Sequence, residues 1–256
     1  MNELLFEKLE KPDYATREAF NSMRTNLQFC GDDVKVVMFT SCTPNEGKST
    51  VTVELARSLG EDNKKVVLID ADLRKSVLVG HYGIKSKSEI YGLSHYLSGQ
   101  KKEEEIINHT DLTNVDIILA GPTVPNPTEL LGNHYFTELL ERLRKAYDVV
   151  LVDCPPLGWV IDAAVIAPMC DGVILVVESG AISYRYLQEV KKQLEITGCR
   201  ILGVVLNKIA VDRGGYYKHY GGKYGKYGGK YYGGKYYGRY GGKYYGRYGG
   251  QYEEYK

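Results

Sequence analysis

The segment that most constrains this chain is residues 41–50, which reads SCTPNEGKST. An apolar run at residues 36–39 precedes it, and a helical pattern of apolar residues follows at 51–59. A strand, a tight loop and Gly-Lys-Ser at the start of a helix form the usual context of a phosphate-binding loop (P-loop). In such a loop, backbone N–H groups and the helix dipole both favour a bound phosphate. The segment therefore predicts nucleotide binding.

Within this loop, Lys48 is expected to reach the β- and γ-phosphates, and the Ser49 hydroxyl is expected to bind Mg²⁺. Two positions depart from the usual pattern: Cys42 replaces its first glycine, and Asn45 replaces a glycine common in related loops. Asn tolerates a positive φ better than most residues. The alternative, an ordinary strand-to-helix turn with a capping serine, is less favoured by the flanking periodicity. The residues predicted to contact the nucleotide are Pro44, Asn45, Glu46, Gly47, Lys48, Ser49 and Thr50.

Two more motifs place carboxylates after short apolar runs typical of strands buried on both faces. Residues 66–69 lead to Asp70 and Asp72, and Asp70 lies 22 residues after Lys48. Residues 149–152 lead to Asp153, which has the form of a Walker B acid. Because ligands of open α/β sheets bind at the carboxyl ends of strands, these acids are expected to meet a metal ion beside Lys48. Polar loops with a capping or strand-ending Asp are the alternative.

The alternation of strands and helices predicts an α/β fold with a doubly wound, mostly parallel sheet covered on both faces. Residues 1–12 are interpreted as a polar lead, followed by a helix over 13–29 whose Ala19, Met23 and Leu27 share a buried face. A helix over 128–145 is predicted with Thr128 as its cap, and another begins with Asp162 as a cap. Asn207 ends the last strand, where the base of a nucleotide could contact it.

Composition restricts the cellular setting. The five cysteines are odd in number and lack CxxC spacing, which indicates reduced thiols. The amino terminus is acidic and resembles no signal peptide, and no apolar stretch approaches the roughly 20 residues that span a bilayer. We therefore expect a cytoplasmic protein whose association with a membrane depends on a partner.

The composition changes abruptly at residue 214. Of the 43 residues in 214–256, 15 are Tyr and 15 are Gly, and none is aliphatic, so a packed core is excluded and a disordered tail is predicted. The tail has nine Lys or Arg against two Glu, a charge of +7 that leaves −6 for residues 1–213. The chain is therefore interpreted as a domain over 1–213 followed by a tail over 214–256.

Three interpretations of the tail compete. Basic residues between aromatic ones could bind single-stranded nucleic acid by stacking, or the segment could be a sticky low-complexity sequence without chemistry. The third interpretation makes the tyrosines phosphate acceptors. The tail contains no Phe or Trp, so exclusive use of the aromatic residue with a hydroxyl favours this third interpretation, and no nucleic acid is expected. The predicted acceptors are Tyr216, Tyr217, Tyr220, Tyr224, Tyr227, Tyr231, Tyr232, Tyr236, Tyr237, Tyr240, Tyr244, Tyr245, Tyr248, Tyr252 and Tyr255.

With these motifs together, the chain resembles the bacterial tyrosine kinases (BY-kinases) of capsule and exopolysaccharide synthesis, in the form whose transmembrane activator is a separate chain. The resemblance implies a P-loop NTPase fold and transfer of the γ-phosphoryl group of ATP to tyrosine, with Mg²⁺. It assigns Lys48 and Ser49 to Walker A, Asp70 and Asp72 to Walker A′, and Asp153 to Walker B. The implied catalytic residues are Lys48, Asp70, Asp72 and Asp153, with Ser49, Asp70 and Asp153 holding the metal and Asp70 or Asp72 as base. The segments that carry the resemblance are residues 41–50, 67–74, 92–99, 120–131 and 151–156, with the terminal tyrosines.

The resemblance also implies partners: a transmembrane polysaccharide co-polymerase as activator, a phosphotyrosine phosphatase, and neighbouring subunits in a ring-like homo-oligomer. The family's Glu-x-x-Arg-x-x-Arg motif for ring contacts corresponds to residues 18–24, with Glu18 and Arg24 in place and Asn21 replacing the first arginine. That replacement removes one fork that could pair bidentately with a neighbour's carboxylate. The main rival is a partitioning or cell-division ATPase of the ParA/MinD kind. Those proteins have a signature lysine where this chain has Thr43, and they lack a tyrosine tail.

Overall fold

A nine-stranded sheet organises residues 3–209, the part of the chain described in the computed structural model. The predicted tail, with all of its tyrosines, lies outside the described residues. The strands are β1 (Glu3–Phe6), β2 (Val36–Ser41), β3 (Val66–Asp70), β4 (Ile84–Lys85), β5 (Asn108–Thr110), β6 (Val115–Ile118), β7 (Val149–Asp153), β8 (Gly172–Glu178) and β9 (Ile201–Asn207).

Helices connect these strands and cover the sheet. They are α1 (Tyr14–Gln28), α2 (Lys48–Glu61), α3 (Leu78–Tyr82), α4 (Leu93–Leu97), α5 (Glu103–Ile106), α6 (Pro127–Leu131), α7 (His134–Ala146), α8 (Asp162–Ile166) and α9 (Tyr184–Ile196), and a 3₁₀ turn follows α8 at Ala167–Met169. Within the described part of the chain, none of these helices has the length and apolarity needed to cross a membrane.

The strand order is β4-β1-β5-β6-β3-β7-β2-β8-β9. The six strands from β6 to β9 in this order all pair in parallel, whereas the β1–β4 and β5–β6 pairs are antiparallel. The predicted mostly parallel sheet is confirmed. The register aligns Asp70 at the end of β3 with Asp153 at the end of β7, and β7 in turn pairs with β2, which leads into the P-loop.

Each central strand sends alternate side chains to opposite faces of the sheet. In β3, Val67 and Ile69 belong to one buried cluster, and Val66 and Leu68 belong to the other. Helices α1, α2 and α3 cover the second cluster, and α4 to α9 cover the first. Burial on both faces explains why the central strands are continuous apolar runs, and it makes the fold doubly wound.

The interpretation of residues 1–12 as a polar lead is wrong. Glu3–Phe6 forms β1, with Leu4 and Phe6 buried and Leu5 exposed. The strand pairs with β4 and β5 and extends the sheet beyond β6. A four-residue strand with two inward residues is too short to produce a clear period in the sequence.

Helix α1 confirms the predicted segment, and the Asp13 side chain accepts the Thr16 N–H at 2.8 Å as its cap. The predicted buried face is partly wrong because Ala19 is exposed. Phe20 takes its place and packs with Met23 and Leu27 against the cluster beneath α2.

The predicted single helix over 128–145 is two helices, α6 and α7. The break falls at Gly132 and Asn133, and the Asn133 side chain accepts the Phe136 N–H at 3.2 Å to cap α7. Asn is among the preferred N-cap residues because its short side chain reaches the free N–H groups of the first turn.

Candidate active site

The P-loop connects β2 to α2, and its backbone requires two residues with positive φ. Gly47, the N-cap of α2, has φ 87°, and Asn45 has φ 66°, as its tolerance of this region predicted. A Cβ atom on Gly47 would lie 2.1 Å from the Asn207 side-chain nitrogen, so only glycine fits there. Cys42 is buried and is not among the positive-φ residues described, which explains how a side chain replaces the usual glycine.

Lys48 lies among the carboxylates that the sequence placed at this edge. Its Nζ atom is 3.3 Å from Asp153 Oδ1, 3.9 Å from Asp72 Oδ2 and 3.2 Å from the Ser49 hydroxyl. Asp70 pairs with Asp153 across the β3–β7 ladder. The three predicted motifs therefore meet at one point, because parallel strands bring their carboxyl ends to the same edge of the sheet.

The charges in this cluster are strongly coupled. Burial, and then the charge of Asp153, raises the pKa of Asp70 to about 7. Burial also raises the pKa of Asp153, against the opposing effect of Lys48. For Lys48, burial opposes the charge, but Asp153, Asp72 and Asp70 outweigh it and raise the pKa of the ammonium. Lys48 is therefore a protonated cation held among three acids.

Both oxygens of Asp70 are already hydrogen-bonded. The Asp72 N–H donates to Oδ1 at 3.1 Å, and the Ser76 hydroxyl donates to Oδ2. Asp72 is more accessible, and its Oδ1 accepts the Lys75 N–H at 3.0 Å. The sequence does not predict the contact with Ser76, because a serine six residues beyond Asp70 matches no motif.

The donor set fits a magnesium–nucleotide complex. Within residues 3–209, no group of three or more His, Cys, Asp or Glu side chains is arranged to hold a metal ion. Mg²⁺ bound with a nucleotide usually takes one or two carboxylates, the substrate phosphates and several waters instead of a complete protein cage. Asp153 beside the Ser49 hydroxyl, with Asp70 as its neighbour, supplies such an incomplete set.

The side chains of Glu46 and Asn207 bind the P-loop itself. Glu46 is 1% exposed, and its two carboxylate oxygens accept the Thr43 N–H at 2.7 Å and the Glu178 N–H at 3.3 Å. The Asn207 amide donates to the Glu46 carbonyl at 2.9 Å. Lys208 Nζ donates to the Asn45 carbonyl at 2.6 Å and to Glu178 Oε2 at 2.8 Å. Nucleotide contacts by Glu46 and Asn207 stay predictions.

Two predicted helix caps have different roles. Asp162 does not cap α8: its side chain is fully buried and accepts from Arg74 at 2.6 and 2.9 Å. The Thr128 hydroxyl also donates to Asp162 at 2.5 Å, and Thr128 lies inside α6 instead of capping it. These contacts tie the loop after Asp72 to α6 and α8. They join residues 34 and 88 positions apart, so helix-start signals could not predict them.

The loop after β7 is held in place by contacts that the sequence did not predict. The Thr40 hydroxyl donates to the Pro155 carbonyl at 2.8 Å, and the Tyr186 hydroxyl donates to the Gly158 carbonyl at 3.1 Å. These bonds fix the loop to β2 and α9. Trp159 at its tip is 69% exposed.

The two predicted oligomer residues differ in accessibility. Glu18 is exposed and accepts from Asn21 at 3.1 Å. Arg24 is partly buried against α2, where it donates to the Ser58 carbonyl at 2.8 Å and lies 3.7 Å from Asp62. Arg24 therefore has partners inside its own subunit, and the oligomer contact of both residues stays a prediction.

The sheet order, the P-loop and the cation among strand-end acids define a protein of the P-loop NTPase fold. The family described as "AAA domain" matches residues 34–198. The chain is 44% identical over 211 residues to the protein named tyrosine-protein kinase CpsD of Streptococcus pneumoniae, covering 82% of this chain and 92% of that one. It aligns with the kinase domain of the Escherichia coli tyrosine kinase ETK at TM-score 0.70 and 32% identity, covering 76% of this chain and 78% of that one. The chain belongs to the bacterial tyrosine-protein kinases.

The rival class is similar mainly in fold. The septum site-determining protein MinD of Pyrococcus horikoshii, solved with Mg-ADP, aligns at TM-score 0.57 and 28% identity, covering 68% of this chain and 70% of that one. The similarity to the kinases is greater in identity, coverage and TM-score.

Proposed function

We propose that this tyrosine kinase transfers the γ-phosphoryl group of ATP to tyrosines of its own residues 214–256, and that this modification regulates synthesis and export of a capsular or extracellular polysaccharide. Residues 1–213 act as the kinase domain and residues 214–256 as its substrate tail. The observation that carries the proposal is the cluster of Lys48 with Asp70, Asp72 and Asp153, in a chain that ends in 15 closely spaced tyrosines.

In this mechanism the chain contributes mainly position and charge. The P-loop N–H groups and the start of α2 bind the phosphates, and Lys48 neutralises charge that develops on the transferred group. Ser49, Asp70 and Asp153 would hold a Mg²⁺ ion. The ion would supply further positive charge to neutralise the phosphates.

Proton transfer from the substrate tyrosine requires a nearby base, and Asp70 and Asp72 are the candidates. Asp70 is buried with both oxygens hydrogen-bonded, and Asp72 is more accessible. The tyrosine proton passes to one of these carboxylates as the phenol oxygen forms its bond to phosphorus and the bond to the ADP oxygen breaks.

The experiment that tests the proposed function is incubation of the purified full chain with ATP and Mg²⁺, followed by mapping of phosphate by mass spectrometry. We expect phosphotyrosine within residues 214–256. ATP hydrolysis without phosphotyrosine would favour a switch of the ParA/MinD kind. Binding of single-stranded nucleic acid without either reaction would favour the stacking interpretation of the tail.

We further propose that the protein works in the cytoplasm at the inner face of the membrane, recruited by a transmembrane polysaccharide co-polymerase. A phosphotyrosine phosphatase resets it, and neighbouring subunits associate in a ring. The chain alone is then weakly active and is stimulated by the cytoplasmic segment of the co-polymerase. Equal turnover with and without membranes that contain this partner would contradict the proposed activation.

A further inference from the structure

The P-loop carries backbone strain that its own sequence does not relieve. Four non-glycine residues among those described have positive φ: Asn45, Asn63, Asn114 and Lys208. Lys208, the one that is not Asn, lies directly after β9, and its side chain donates to the Asn45 carbonyl at 2.6 Å. Strained residues of this kind persist when the surrounding structure fixes them, and they concentrate at functional sites. A side-chain hydrogen bond therefore joins two of the four residues at the P-loop.

The loop is held from inside by a buried carboxylate. Glu46 is buried, and each of its oxygens accepts one backbone N–H, from Thr43 within the loop and from Glu178 at the end of β8. A carboxylate in this position adds negative charge near a phosphate site, which by itself disfavours an anion. The two hydrogen bonds that Glu46 accepts from the backbone explain why a carboxylate is present: it fixes the conformation of the loop.

The ends of β8 and β9 complete the arrangement. Glu178 and Asn207 are partners across the β8–β9 ladder, and the Asn207 amide donates to the Glu46 carbonyl. Lys208 bridges Glu178 and Asn45. The loop is thus bonded to a rigid sheet through both a side chain and two carbonyls.

We propose that Glu46, Glu178, Asn207 and Lys208 form a P-loop clamp that sets the loop in its phosphate-binding conformation before nucleotide arrives, with Glu46 and Lys208 as positioning residues. This inference rests on nucleotide binding at the P-loop. The P-loop clamp acts through the loop backbone, so its loss lowers nucleotide affinity because the free loop must then be ordered at the expense of binding.

The test measures binding of Mg-ADP to the full chain by calorimetry, because ADP is not consumed by the kinase reaction. Lys208→Gln removes the cation from a partly exposed site, and we expect the Kd for Mg-ADP to rise about tenfold, the scale of one charge-assisted hydrogen bond. Glu46→Gln leaves one oxygen for two N–H donors and should weaken binding at least as much. Lys208→Arg keeps a cationic donor, so its Kd for Mg-ADP should stay within about threefold of the wild-type value.

The matched control is Lys192→Gln, which removes an exposed lysine of α9. Its Kd should stay within about twofold of wild type. In kinase assays, KM for ATP should rise with the Kd in the P-loop clamp variants, and kcat should fall by less than KM rises, because saturating ATP orders the loop.

Thermal unfolding without nucleotide distinguishes an effect on the conformation of the P-loop from an effect on the stability of the whole protein. If Lys208→Gln and Glu46→Gln lower the unfolding temperature but bind Mg-ADP as wild type does, the P-loop clamp is structural only and the proposal is wrong. If wild type itself does not bind Mg-ADP, the proposed function fails instead. Glu46→Gln could unfold the protein, and Lys208→Gln at the partly exposed position then decides the question alone.

Discussion

The described polar partners of the Lys48 ammonium are all residues of the proposed nucleotide site. The Lys48 Nζ atom is shared by Asp153, Asp72 and Ser49, and its side chain is 11% exposed. Bound phosphates would offer the ammonium alternative acceptors, and the acids would be available to hold Mg²⁺. Nucleotide binding at the proposed site would therefore separate Lys48 from the acids that it pairs with in this structure.

This arrangement predicts the effect of replacing the cation. Lys48→Met should reduce tyrosine phosphorylation by about 100-fold or more, because an electrostatic contact to the transferred group is lost. The protein should stay folded, as judged by circular dichroism. Lys192→Met removes a surface lysine and should retain wild-type labelling. Wild-type labelling of the tail by Lys48→Met would show that the site is elsewhere.

Asp162 gives a prediction about stability and pH. Burial opposes its ionisation, but hydrogen bonds from Arg74 and Thr128 outweigh burial and lower the pKa of Asp162. Asp162→Asn should therefore reduce the free energy of unfolding by about 1–3 kcal/mol, the scale of hydrogen bonds to a charged group. Urea titration at neutral pH measures this loss.

The pH dependence follows from the lowered pKa. A carboxylate with a folded-state pKa below its unfolded value of about 3.9 stabilises the protein fully above that value. The difference in stability between wild type and Asp162→Asn should then shrink as the pH falls below about 4 and through the folded-state pKa. A difference that grows towards acid pH would contradict this account.

The convergence of Lys48 with the strand-end acids could be predicted from the sequence, because parallel strands expose their carboxyl ends together. The roles of Glu46 and Asp162 could not. Each depends on a partner far along the chain, 132 residues away for Glu46 and Glu178 and 88 for Asp162 and Arg74. A local pattern assigns such residues to caps or ligands because their distant partners are not visible in it.

Among the elements, α1 is the one with two competing roles. Its Arg24 binds the end of α2, and its Glu18 is exposed. Helix α2 begins at Lys48. A contact between subunits that displaces α1 would therefore act on the helix that carries Lys48. The proposed ring contact and the packing inside the subunit therefore share one helix.

Two substitutions in α1 distinguish these roles. Arg24→Ala should lower the free energy of unfolding by about 1–3 kcal/mol, because it leaves the buried end of α2 without its charged donor. Glu18→Ala should leave unfolding unchanged and weaken self-association. Light scattering measures the association, and thermal unfolding measures stability. If Glu18→Ala assembles like wild type, Glu18 is not an interface residue.

The sequence predicted elements with continuous apolar runs, but not a four-residue edge strand or a break within a continuing helical pattern. The continuous apolar runs of β3 and β7 were read correctly, whereas β1 was missed because it has only four residues. The break between α6 and α7 was missed because the apolar period continues across Gly132 and Asn133. The strand order was not predicted either, because it includes antiparallel pairs formed by the short strands β1, β4 and β5.

At the scale of the whole molecule, charge separates the chain into two parts. Residues 214–256 carry +7 and residues 1–213 carry −6. Each phosphotyrosine adds about −1.5 to −2 units, so roughly four of them cancel the charge of the tail. Our hypothesis is that unmodified chains assemble and that accumulated phosphate releases them, which gives a self-limiting cycle.

Two sets of substitutions separate charge from hydroxyl chemistry. Replacing all tail tyrosines with Phe should hold the protein in its assembled state, because aromatic rings and cations stay. Replacing the tail Lys and Arg with Gln should weaken assembly before any phosphate is added, most strongly at low salt. Light scattering at several salt concentrations measures both. If the Gln variant assembles like wild type at low salt, tail charge is not the switch.

The loop after β7, which is hydrogen-bonded to β2 and α9, also carries an intrinsic fluorophore. Trp159 is the single tryptophan of the chain, and it is 69% exposed at the tip of a loop that Thr40 and Tyr186 fix beside the P-loop. Its indole should emit at the long wavelengths typical of water-exposed tryptophan. Because the chain has one tryptophan, its tryptophan fluorescence comes from this position alone. The protein therefore contains its own fluorophore on a loop that is hydrogen-bonded to the start of the P-loop segment at Ser41, so that stopped-flow fluorescence can follow changes in this loop without a label.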